Sequence, residues 1–63
     1  MNKKIICKVK SDDDPHKIIK VVYLHDVNSL EFEGYFLGKS PHICFLFPWK
    51  DVVEKYMAEV RGG

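Results

Sequence analysis

WKDVVEKYMAEV, residues 49–60, is the stretch on which the fold of this chain turns. Trp49, Val52, Val53, Tyr56, Met57 and Val60 follow the i, i+3, i+4, i+7, i+8, i+11 spacing of one helical face. Lys50, Asp51, Glu54, Lys55 and Glu59 fall on the other face. Pro48 suits a first helical turn, Asp51 lies near the positive end of the helix dipole, Arg61 lies near the negative end, and Gly62 can take a left-handed stop. The pattern predicts an amphipathic C-terminal α-helix of about eleven residues, roughly 16 Å long. Its stripe, with Trp49, Val53, Tyr56, Met57 and Val60, is expected to be buried on a sheet.

Upstream, the period is two. Ile5, Cys7 and Val9 alternate with Lys4, Lys8 and Lys10, the pattern of a half-buried strand with a solvated lysine face. Residues 11–16, SDDDPH, carry no apolar side chain and read as a hairpin connection. Lys17 to Leu24 is β-branched and apolar on both faces, which marks a central strand. After turn formers at 25–29, Leu30, Phe32 and Phe36 alternate with Glu31, Glu33 and Tyr35 in a third strand. Gly34 sits on the apolar side of that strand, where a missing side chain suits a bulge or sharp bend. Ile43 to Phe47 makes a short fourth strand after the Gly38-Lys39-Ser40-Pro41 turn.

The fold class expected is therefore α+β: a single domain over residues 1–63, with four antiparallel strands and one C-terminal amphipathic helix packed on them. Strands two and four are apolar on both faces, and one short helix covers one face at most. Either the sheet closes on itself as a five-stranded, SH3-like barrel, or a partner covers the second face.

The chain has 63 residues, so a single small core is all it can build. A hydrophobic fraction of 46% argues against disorder. Ten basic against nine acidic residues give a net charge of +1, which excludes the broad positive field of a non-specific nucleic-acid binder. The longest uncharged apolar run, Ile43 to Trp49, is far short of the roughly 20 residues a membrane-spanning helix requires. Lys8 and Lys10 interrupt the N-terminal apolar segment, so no signal peptide is expected and the cytoplasm is the expected location. Cys7 and Cys44 read as thiols of a reducing compartment rather than as a disulfide.

No catalytic function is expected. Cys7 and Cys44 with His16, His25 and His42 lack a third group to orient the base and lack flanks that would lower a thiol pKa. Asp12, Asp13 and Asp14 have the charge of a cation site without the spacing of a calcium loop, and they read as a solvated turn. His42 and Cys44, completed by Cys7 or His25, are the nearest approach to a zinc set, but paired Cys knuckles are missing. No metal or cofactor is assigned. The terminal Gly62-Gly63 resembles the tail of ubiquitin-like modifiers, yet it follows a helical pattern rather than a strand, and a helix stop explains it.

Two binding functions remain. The first is a small non-enzymatic protein-binding module, a regulator or inhibitor, that docks a protein or a second copy of itself as a homodimer through Tyr23, Phe32, Tyr35, Phe36 and Leu46. It rests on the apolar side chains that one helix cannot cover. The alternative is a small barrel that binds single-stranded DNA or RNA through Lys4, Lys8, Lys10, Lys17 and Lys20. Edge-strand lysines also serve to prevent aggregation, which favours the first reading.

Overall fold

The computed structural model describes residues 3–60. It contains five strands, β1 (Lys3–Lys10), β2 (Ile18–Asp26), β3 (Glu31–Phe36), β4 (Phe45–Pro48) and β5 (Val52–Glu59), with a single 3₁₀ turn at Trp49–Asp51. The strands form one antiparallel sheet in the order β4-β3-β2-β1-β5. Strand β2 is central, as its two-sided apolar pattern requires.

The α+β expectation is corrected at residues 49–60. No α-helix exists among the described residues, and the architecture is essentially all-β. Only one turn of the helical signal survives: Pro48 caps Trp49–Asp51, and the Val52 N–H returns to the Trp49 carbonyl. From Val52 the chain runs antiparallel to β1, from Val9↔Val52 to Lys3↔Glu59. Two causes explain the difference. Val52, Val53 and Tyr56 favour extended backbone intrinsically. More decisively, β1 carries the buried side chains of Ile6, Cys7 and Val9, and its second edge needs hydrogen-bond partners that a helix cannot supply. The expected buried stripe does not form either, because Val53 and Met57 stand 51% and 63% exposed.

Three residues of 3₁₀ turn, rising about 2 Å each, join β4 to β5, although these strands are the two edges of the sheet. In a flat sheet those edges would lie about 19 Å apart. The sheet therefore curls, and its concave face gathers Cys7, Val9, Val21, Phe32 and Phe47 into one core, with Ile5, Ile19, Tyr23, Phe36, Trp49 and Val52 packed around them. No ladder joins β4 to β5 among the described residues.

The opposite face holds a second cluster. Tyr56, Ile6, Val22 and Tyr35 are register partners in one row across four strands, and Ile6, Val22 and Tyr35 are buried there with Ala58 and Val60 alongside. Each such side chain contributes about 1.5–3 kcal/mol on burial.

Local chemistry sets the turns. Asn28 Oδ1 accepts from the N–H groups of Leu30 and Glu31 at 2.8 and 2.9 Å, which closes the β2–β3 connection. The Asp14 carboxylate accepts from the His16 N–H at 3.0 Å in the β1–β2 loop. Gly38 takes φ +85°, the left-handed value glycine adopts at least cost, and the Lys39 N–H reaches back to the Phe36 carbonyl. Gly34 answers a different demand: a Cβ there would collide with the Val22 carbonyl oxygen. The register slips on the facing strand, between Tyr23 and His25, so the bend expected at Gly34 is shared with a bulge in β2.

Candidate partner-binding surface

Residues expected to form one binding surface divide among three places. Phe32 is completely buried in the concave core, and Tyr35 is buried on the opposite face against Ile6 and Val22. Neither reaches a partner from the folded monomer. Tyr23 is half-buried and joins an aromatic group in which its ring centroid lies 5.8 Å from Trp49 and 5.6 Å from Phe32. Phe32 and Trp49 are closer still, at 4.5 Å.

Phe36 and Leu46 border the same groove, but Leu46, between Phe45 and Phe47 and opposite Glu33, turns its side chain toward the other face of the sheet. The groove, of about 310 Å³, lies between β4 and the β1–β2 loop. Val9, Ile19, Phe45 and Phe47 complete its apolar wall. The Phe36 ring stands 5.2 Å from Phe45 and meets Phe47 edge-on at 5.8 Å, so the wall is fixed by ring-on-ring packing. Phe45 and Leu46 remain 45% and 54% exposed. Asp12, Asp13 and Asp51 stand around this wall with Lys10 as the one cation lining it among the described residues.

Sequence reasoning missed Phe45 and the acidic rim. Phe45 lies in a run that is apolar on both faces, and Asp12–Asp13 have the pattern of a solvated turn. A reading that placed the β1–β2 loop beside β4 would have joined them. That placement depends on the curl.

The lysines are arranged differently. Lys4, Lys8 and Lys10 alternate along β1, and Lys20 is the register partner of Lys8 on β2, so these four share the convex face. Lys17 precedes β2, and its N–H is held by the Asp14 carbonyl. Lys8 is already engaged: its ammonium lies 3.2 Å from Glu54 and 5.8 Å from the Tyr56 ring centroid. The exposed ion pair contributes about 0–1 kcal/mol, but it subtracts a charge from the face.

Among the described residues no three His, Cys, Asp or Glu side chains converge as metal ligands. His25 contacts Glu33 at 2.8 Å, while Cys44 donates its thiol to the Pro41 carbonyl. Both cysteines are free. Burial pushes the Cys7 thiol above its ordinary pKa, with the nearby Lys55 ammonium opposing the shift only in part. Desolvation and the Asp26 carboxylate likewise raise the Tyr23 phenol.

No family model, curated protein or solved structure matches this chain. No helix among the described residues is long and apolar enough to cross a membrane.

Proposed function

We propose that this chain is a small non-enzymatic protein-binding module that regulates or inhibits a partner by docking it in the groove beside β4. The observation that carries the reading is the exposure of Phe45, packed on Phe36, at an apolar wall bordered by three carboxylates and one lysine. Apolar side chains left open on so small a domain mark an interaction surface. The local excess of acid on a chain of net charge +1 selects an apolar peptide segment flanked by Lys or Arg. A protonated, buried Cys7 thiol is a poor nucleophile, which supports binding over catalysis. The two free thiols support a reducing, cytoplasmic setting.

Selection of a displayed random-peptide library on the purified protein tests this. Enriched peptides should combine apolar residues with flanking Lys or Arg, and Phe45→Asp should abolish their binding with the far-ultraviolet circular dichroism unchanged. Peptides with no such bias, or binding that survives Phe45→Asp, would assign the docking surface elsewhere. A fluorescent single-stranded oligonucleotide serves as the competing probe. Salt-sensitive binding that Lys4→Glu with Lys20→Glu eliminates would give the function to the convex lysine face instead.

A further inference from the structure

The curled sheet leaves two free edges, and they are not equivalent. The hydrogen-bond phase of the sheet identifies which backbone groups each edge offers. The Ser11 N–H bonds the Lys17 carbonyl in register with the β1–β2 ladder, and the Leu37 N–H bonds the Lys20 carbonyl in register with β2–β3. Alternation along each strand then directs the backbone groups of Lys4, Ile6 and Lys8 at Ala58, Tyr56 and Glu54. The backbone groups of Lys55, Met57 and Glu59 point away from the sheet.

On the other edge, the Trp49 N–H bonds the Leu30 carbonyl, so Phe47 and Phe45 face β3 while Leu46 and Pro48 face outward. Strand β4 has four residues, and its outward Pro48 has no N–H to donate. Short length and an outward proline are the devices that stop an edge from pairing. Strand β5 has eight residues and no proline. Its outward positions carry a 63% exposed Met57 between an exposed Lys55 and an exposed Glu59.

We infer that β5 pairs with β5 of a second copy of this chain, antiparallel, with Met57 opposite Met57. Charge complementarity under two-fold symmetry selects this register. With the axis at Met57, Lys55 of each copy faces Glu59 of the other, so two opposite-charge pairs flank an apolar centre on one face. On the other face Tyr56 meets Ala58, a large residue against a small one. Centring the axis on Lys55 would set two ammonium groups against each other. Centring it on Tyr56 would place Met57 against Lys55 and separate the charges. Among the described residues neither Lys55 nor Glu59 has an ion-pair partner within its own chain. The Lys55 ammonium rests 5.4 Å over the Trp49 ring on an exposed side chain, so pairing with Glu59 of a second copy exchanges that contact for an ion pair. This contact is separate from the groove, so both copies keep a groove free.

Light scattering and sedimentation velocity on the full chain across micromolar concentrations test the inference. The wild type should be a dimer. Lys55→Glu and Glu59→Lys should each weaken it by roughly tenfold or more in dissociation constant, since directly opposed like charges destabilise a strand pair. The double variant Lys55→Glu, Glu59→Lys should recover most of the loss. In a Cys44→Ser background, Met57→Cys should crosslink to itself through a short bismaleimide, and Val53→Cys should not. A monomeric wild type overturns the inference. So does a dimer indifferent to both single charge reversals, or one in which Val53→Cys crosslinks instead. Unchanged far-ultraviolet circular dichroism of each variant separates a lost interface from a lost fold.

Discussion

Trp49 donates its indole Nε1–H to Asp26 Oδ1 at 3.0 Å, across 23 residues of sequence. This bond ties the end of β2 to the single turn that carries the chain from one sheet edge to the other. It fixes the ring over Phe32, whose burial is complete. Trp49→Phe keeps most of the ring packing and loses the donor, so it should cost about 1 kcal/mol. Trp49→Ala removes a half-buried aromatic and should cost about 2–3 kcal/mol, below the value for a fully buried ring. Asp26→Asn retains an acceptor and should cost less than either. Urea titrations order the three, and equal midpoints for Trp49→Ala and wild type would show that the turn does not need its anchor.

Gly34 and Gly38 should separate two kinds of glycine requirement. At Gly34 an added methyl meets the Val22 backbone oxygen, which has no freedom to retreat inside a ladder. Gly34→Ala should cost more than about 2 kcal/mol and should accelerate hydrogen exchange at Val22 and Tyr35. At Gly38 nothing lies within 4 Å of the added Cβ, but φ is +85°. There the cost is backbone strain alone, about 1–2 kcal/mol, with exchange rates in the ladder unchanged. Thermal melts together with exchange measurements distinguish them.

Much of the sheet could be read from residues because local pattern and tertiary demand agree there. Ile5, Cys7 and Val9 alternate against lysines, Ile18–Leu24 is apolar on both faces, and the turns carry Asn28, Asp14 and Gly38 at positions their backbones need. Residues 52–59 could not be read this way. Their strand conformation follows from the unpaired edge of β1, a long-range requirement that a window on residues 49–60 does not contain. The candidate site inherits the same difficulty. Phe36 and Leu46 were visible as surplus apolar residues, whereas Asp12, Asp13 and Asp51 became their neighbours only through the curl.

Cys7 supplies a pH test with a definite sign. Its folded pKa lies above the ordinary 9.0 because burial disfavours the thiolate. Between the unfolded and folded values the unfolded chain releases a proton that the folded chain retains. Stability is therefore full below about pH 9 and falls as pH rises beyond it, at up to about 1.4 kcal/mol per pH unit. Cys7→Ala should flatten that alkaline limb in urea titrations between pH 8 and pH 10. In the native protein a thiol reagent should label Cys44 first and reach Cys7 only as the chain opens. Equal labelling rates would place the Cys7 thiol at the surface.

Proline substitution on β5 asks whether residues 52–59 are a strand, and which of its edges is bonded. The Tyr56 backbone faces Ile6 of β1, and its side chain packs with Ile6, Val22 and Tyr35. Tyr56→Pro removes the ladder bond and the ring together and should unfold a domain this small. The Met57 N–H points off the sheet and its side chain is exposed, so Met57→Pro should cost under about 1 kcal/mol in the monomer, as edge prolines do. A helix would be broken by both, since an interior proline costs about 3 kcal/mol at either position. Far-ultraviolet circular dichroism and thermal melts at concentrations low enough to hold the chain monomeric make the comparison. If Met57→Pro unfolds as readily as Tyr56→Pro, β5 is not a one-sided edge strand, and the pairing of Lys3–Val9 with Val52–Glu59 must be abandoned.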